Sequence, residues 1–240
     1  PPVLEAVSEF RFVSRGTWDA AIPGLVYVEL KEMFPKRVTA QRVQIAPSDK
    51  GPSVELNSVI QFRTSDDTAF VQVAPHYLSV HQLRPYPGWT AWAPHIQEAL
   101  NVYVHTARPL GVQRVGLRYV NRILLPNGDP IEPAHYLNFY PHLGEELPQK
   151  MVAFHSAVML PYSDGRDALR LQLRSAEPER EPELRLALEL DLDYFLTQAE
   201  TLSVPELPDW LSGAHAHVED VFEACLTERS RVLFEVVQEG

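Results

Sequence analysis

The 240-residue chain sets 21 Lys/Arg against 32 Asp/Glu, a formal charge of −11, with 45% apolar residues and one cysteine. That composition excludes wholesale disorder, an internal disulfide framework and a multi-cysteine zinc site. No apolar stretch approaches the roughly 20 residues that span a bilayer, and the opening Pro1-Pro2-Val3-Leu4-Glu5 has no secretory-signal pattern; a cytoplasmic protein without a membrane partner is expected.

In chain order, Val3–Val13 alternates as a strand, and Arg15-Gly16 turns it toward a helix with Ile22, Val26, Leu30 and Met33 on one face. Pro23 suits the first turn of that helix and Pro35 ends it. Val38–Ile45 reads as a strand, and Pro47–Pro52 as a loop. Val54–Arg63, Ala69–Val73 and Tyr77–Leu83 follow as antiparallel strands. Gly88 then opens a helix with Trp89, Trp92, Ile96, Ala99, Leu100 and Tyr103 on one face.

Gly111–Leu125 begins the second half as a long strand, and Pro126-Asn127-Gly128-Asp129-Pro130 is a turn. Pro133 opens a short helix bearing Tyr136, Leu137 and Tyr140. Met151–Leu160, Leu169–Leu173 and Leu184–Leu192 read as strands, with an acidic loop, Ala176–Pro182, before the last. Asp209 opens a helix with Trp210, Ala214, Val218, Val221, Phe222 and Cys225 on one face, and Val232–Val237 closes as a strand. His95 and His217 each stand just before the second apolar turn of the two Trp-led helices. The echo implies an α+β fold of two related βαβββα units, with mainly antiparallel sheets covered by helices. Their expected limits are residues 1–110 and 111–240, joined as one compact body.

Charge divides unevenly between these halves. Residues 1–120 hold 12 basic and 10 acidic side chains, whereas residues 121–240 hold 9 and 22. A diffuse acidic surface repels phosphate, which argues against nonspecific nucleic-acid binding and offers a face for a basic protein partner.

Few residues suggest chemistry. Arg114, Arg118 and Arg122 recur at even spacing along one strand and so share one face, where three guanidiniums suit a phosphate or carboxylate. Tyr119 and Asn121 lie in the same strand, and Arg84 with Tyr86 form a small exposed patch near Trp89 and His81. The competing expectation is cross-strand ion pairing of these arginines with Glu189, Asp191 and Asp193, which alternate with leucines at 184, 186, 188, 190 and 192. Those three acids also offer hard oxygen ligands to a divalent cation, without a distant Asp/Glu/His motif to complete the site. None of the nine histidines forms a metal motif, and His215 and His217 point apart. No nucleophile elbow and no glycine-rich phosphate loop occurs. No catalytic residues and no cofactor are therefore expected.

The start Pro1-Pro2-Val3-Leu4-Glu5-Ala6-Val7 with Phe10-Arg11-Phe12, the strand Gly116-Leu117-Arg118-Tyr119-Val120-Asn121-Arg122-Ile123 and the terminal helix with Trp210, His217, Val218 and Phe222 resemble a sporadically distributed family of bacterial proteins with no assigned function. The resemblance covers nearly the whole chain. It implies a soluble bacterial protein from mobile or defence-related gene neighbourhoods, and transfers no catalytic residue. The expectation is a non-enzymatic binding or accessory protein engaging a protein partner through its acidic half. A small-anion or nucleotide sensor built on Arg114, Arg118 and Arg122 is the first alternative. A metal-dependent hydrolase or nuclease using Glu189, Asp191 and Asp193 is the second.

Overall fold

A computed structural model describes residues 2–13, 18–46, 53–125, 133–149, 151–176 and 187–236. Among these described residues, nine strands and four α-helices succeed one another as β1 (Val3–Val13), α1 (Ile22–Leu30), β2 (Lys36–Ala46), β3 (Ser53–Arg63), β4 (Ala69–Ala74), β5 (Tyr77–Leu83), α2 (Trp89–Ala107), β6 (Gly111–Leu124), β7 (His155–Tyr162), β8 (Asp167–Ala176), β9 (Ala187–Leu196), α3 (Leu207–Cys225) and α4 (Glu228–Val236). The fold is α+β, with one mostly antiparallel sheet of order β2-β3-β4-β5-β1-β6-β9-β8-β7. In both runs of that order an opening strand, β1 or β6, lies beside the last strand of the meander that follows it.

The chain divides into two compact units. One comprises Val7–Val115 and Ala199–Glu206; the other comprises Pro1–Ala6, Gly116–Gln198 and Leu207–Gly240. In the first unit α1 and α2 pack on each other, α1 against β3 and α2 against β5. The helices form because apolar positions recur at helical spacing. Pro23 sits in the first turn of α1, whose Val26 and Leu30 are buried, and the expected Trp92, Ile96, Ala99, Leu100 and Tyr103 are the buried face of α2. Trp89 is only half-buried and stands edge-on to Trp92 at 5.9 Å. Helix α2 ends at Arg108, whose left-handed backbone (φ 46°) returns its N–H to the Val104 carbonyl at 3.0 Å.

In the second unit α3 lies on β9. Leu188, Leu190 and Leu192 of β9 are 0% exposed, facing the same side as Leu169, Leu171 and Leu173 of β8 and Leu117, Tyr119 and Ile123 of β6, all buried. Trp210, Ala214, Val218 and Cys225 of α3 are buried, while Val221 and Phe222 are half-buried.

Several elements depart from the pattern expected of them. Four strands follow α1, so the first meander has one strand more than the βαβββα template, while three follow β6. The short helix at Pro133 is a single 3-10 turn, Pro133–His135. Tyr136 and Leu137 are buried beyond it, with Leu137 bridged to Leu226, whereas Tyr140 is 38% exposed. The strand expected from Met151 begins at His155 and continues to Tyr162. Most clearly, the closing strand expected over Val232–Val237 is helix α4: Thr227 and Ser230 cap and fasten it through Ser230 N to Thr227 Oγ1 and the Ser230 hydroxyl to the Tyr136 carbonyl. A Thr at the N-terminus followed by Glu228 in the first turn is a helix start, and the brief apolar run of Val232, Leu233 and Phe234 does not override it. The loop at Pro47–Pro52, Arg15-Gly16, the turn at Pro126–Pro130, most of the acidic loop at Ala176–Pro182, Leu184, Leu186 and Val237 lie outside the described residues.

Because Leu190 has no solvent contact, Leu190→Ala should destabilise by about 3 kcal/mol through lost burial and the cavity left behind. Leu190→Asp should prevent folding of this unit. Urea denaturation followed by circular dichroism checks both, and a Leu190→Asp protein with a native-like unfolding transition would contradict this account of the core.

Candidate functional site

Pleating sends alternate side chains to opposite faces, so the face of β9 away from α3 carries Glu189, Asp191 and Asp193. The register sets Asp193 between Arg118 of β6 and Arg170 of β8, and Glu189 between Arg122 and Arg174. Asp191 lies between Val120 and Gln172, and Arg118 reaches diagonally to it. The Arg118 Nε and Nη2 donate to Asp191 Oδ1 and Oδ2 at 2.8 and 2.6 Å, and Gln172 Nε2 donates to the same Oδ2 at 3.3 Å. Arg170 Nη2 meets Asp193 at 2.7 Å. Glu189 accepts from Arg174 and also faces Arg122 at 3.9 Å. The result is a ladder of three acids held between two columns of cations.

Asp191 and Asp193 are more covered than Arg118 and Arg170, while Arg122 is as covered as Glu189. Asp193 keeps 7% of its side-chain exposure, against 41% for Arg170 and 45% for Arg118. Hydrogen bonding from Asp191, outweighing desolvation, holds the Arg118 guanidinium even more firmly charged than usual. This occupancy limits the chemistry. The planar edge of Arg118 that would grip a phosphate in bidentate fashion is taken by Asp191. Carboxylates so engaged are poorly placed to ligate a cation, and no cluster of three or more His, Cys, Asp or Glu able to hold a metal occurs among the described residues.

Arg114 belongs to the other unit, where its Nη1 donates to Glu9 Oε1 at 2.8 Å. Arg11 donates to that same oxygen at 2.9 Å, and the Tyr77 hydroxyl reaches Glu9 Oε2 at 3.3 Å. Tyr119 and Asn121 are buried on the opposite face of β6 from the arginines. The Tyr119 hydroxyl meets His215 Nδ1 at 3.3 Å, and Asn121 Nδ2 donates to the Leu190 carbonyl at 3.2 Å. The odd-numbered spacing from Arg118 already separates these two residues from the arginine face. Arg84 is exposed, and Tyr86 stands edge-on to the buried Trp92 at 6.2 Å. His81 stacks on Phe70 at 4.2 Å, and Arg63 lies over the same Phe70 ring at 4.8 Å.

A second polar cluster, in the unit containing β8 and α3, was not marked by sequence. Asp167 is 0% exposed. Its Oδ1 accepts from the Trp210 indole Nε1 at 3.0 Å, and its Oδ2 accepts from Arg166 Nε and Nη2 at 3.0 and 2.6 Å. Burial, with the Asp167 charge adding to it, pushes the Tyr194 phenol up to about 12. Tyr194 packs against Trp210 at 5.5 Å and against the His217 ring at 5.3 Å, while Tyr162 closes on His217 at 4.8 Å. The preceding loop holds Ser163, Asp164 and Gly165 at φ 49°, 54° and 86°. The Ser-Asp-Gly turn and the Trp at a helix start were the available signals; the burial of the acid two residues past that glycine was not.

Cys225 is buried, and that burial pushes its thiol up to about 11, which leaves it protonated and inert near neutrality. Among the described residues no helix is long and apolar enough to cross a membrane. Comparison with protein-family models, curated proteins and solved structures finds no match to this chain.

Two outcomes follow from the buried groups. Asp167→Ala should destabilise by about 3 kcal/mol, since it strips the Trp210 N–H of its acceptor and Arg166 of its counter-charge. Asp167→Asn, which keeps an acceptor, should cost less; equal losses in urea denaturation would show that the hydrogen bond contributes nothing. Burial pushes His215 below the ordinary histidine value, despite Glu219 opposing it. The folded state therefore favours neutral imidazole, so this stabilisation is complete above about pH 6.5 and is lost as pH falls toward the folded-state value. The urea midpoint should drop as pH falls below about 6.5, and His215→Gln should flatten that drop; an unchanged slope would remove His215 as its source.

Proposed function

We propose that this chain is a non-enzymatic binding or accessory component of a bacterial system, of the mobile or defence-related kind, that engages a basic protein partner. The reading carries one structural commitment: the partner supplies an extended segment that adds to the outer edge of β7. Strand β7 ends the sheet, and among the described residues no strand pairs with its outer side. Its eight residues, His155 to Tyr162, include no Lys, Arg, Asp or Glu, the residues that ordinarily protect an edge from pairing. Val158 and Met159 are 41% and 54% exposed, and Val152 just before the strand is 90% exposed. Pro161 limits the open edge at one end, because it offers no N–H.

Backbone hydrogen bonds along such an edge supply affinity, and side-chain contacts on alternate positions supply specificity. The excess of 22 acidic over 9 basic residues in 121–240 favours a segment with basic flanks. The ladder of paired acids and arginines supports a binding role over catalysis, because each of its three carboxylates is already engaged by an arginine.

Selection from a displayed library of extended peptides tests the proposal. Selected peptides should alternate apolar residues between Lys or Arg flanks and should slow hydrogen exchange at the amides of β7. Their affinity should fall roughly tenfold when salt rises from about 0.05 to about 0.5 M, and Met159→Lys should abolish it. Selected peptides that protect another surface, or that bind equally at both salt concentrations, would overturn the reading.

A further inference from the structure

The unit that contains α1 and α2 encloses a cavity of about 260 Å³ between the end of β1, the start of α1 and the end of α2. Its apolar walls combine aromatic rings with the aliphatic Val13, Ile22 and Leu25. Phe12 and Tyr103 stack at 5.1 Å with their planes 19° apart, and Trp18 meets His76 edge-on at 5.9 Å. Phe12 and Tyr103 are buried, and the Tyr103 phenol is raised well above its ordinary value by burial.

Two opposite charges, Asp19 and Arg108, also line this space. Neither forms an ion pair with the other or with another described residue. Asp19 uses one carboxylate oxygen to accept from the Ala21 N–H at 2.8 Å. Among the described residues, Arg108 makes its hydrogen bond through its backbone, donating its N–H to the Val104 carbonyl, while its side chain is exposed. Thr106 and Ala107, from the last turn of α2, line the cavity too. A bare hydrocarbon would leave both charges unused, and a simple anion or cation would engage only one.

We infer that this cavity binds a zwitterion with a planar ring: a free aromatic α-amino acid, its carboxylate on Arg108, its ammonium on Asp19 and its ring among Phe12, Trp18 and Tyr103. The volume suits a ligand of that size and is below that of the larger drug-type pockets. This site lies in the opposite unit from β7 and stands independently of the partner-binding proposal.

L-Phenylalanine is the direct probe, with phenylpropionate and phenethylamine as the arms lacking the ammonium or the carboxylate. L-Phenylalanine should raise the melting temperature saturably and perturb Trp18 fluorescence, with both truncated compounds binding about tenfold or more weakly. Arg108→Asn tolerates the left-handed backbone and removes the charge; it should weaken L-phenylalanine about tenfold and leave phenethylamine unchanged. Asp19→Asn keeps an acceptor for Ala21 and should weaken L-phenylalanine while leaving phenylpropionate unchanged. Circular dichroism confirms that each variant folds. No response to L-phenylalanine at about 10 mM, a concentration that saturates even weak small-molecule sites, would overturn the assignment. So would phenylpropionate or phenethylamine binding as tightly as the amino acid, or L-phenylalanine binding unaffected by both substitutions.

Discussion

Strand β9 has to satisfy two incompatible solvents at once, and the unit built on it follows from how it does so. One face presents leucines with no exposure and the other presents Glu189, Asp191 and Asp193 in positions of little exposure. Carboxylates so covered are costly unless paired. Placing β9 between β6 and β8 solves both demands, because each neighbour brings leucines or aromatics to one face and arginines to the other. An exchange of neighbours or a one-residue slip would bury arginine against leucine and strand the acids. The ladder thus specifies strand order and register more than it adds net stability, since Arg118, Arg170 and Arg174 are partly in solvent and exposed pairs contribute little.

That arrangement also redirects the search for function. A row of arginines on one strand and a row of acids on another both resemble sites when each is considered alone. Joined by the register, each row becomes the other's counter-charge. The Asp167 cluster works similarly, tying the start of β8 to the first turn of α3 through the Trp210 indole. Among the described residues, the uncharged edge of β7 and the cavity bordered by Asp19 and Arg108 stand outside such mutual satisfaction. Both are places where the fold leaves polar capacity directed outward.

Much of the fold was legible because period and composition agree locally. The buried faces of α2 and α3, the alternation in β9 and the pairing of Arg118 with an acid of β9 can all be read from spacing. Legibility failed where a short apolar run had two readings, as at Val232–Phe234, and where a template was imposed on the first meander despite its fourth strand. Tyr119 and Asn121 were grouped with the arginines by nearness in sequence, although strand parity sends them to the other face. Asp167 escaped notice because nothing local distinguishes a buried aspartate from one in a solvated turn.

By itself the amino-acid sequence determined the α+β class, the helix faces and the charge asymmetry between the halves. These depend on interactions within a few residues, where backbone geometry dictates which side chains share a side. Tertiary structure alone decided that β8 takes the side of β9 away from β6, that Asp167 meets Trp210 across 43 residues, and that Trp18, His76 and Arg108 line one cavity. Such meetings depend on which distant strands and helices become neighbours, and no periodicity within a single segment encodes that choice.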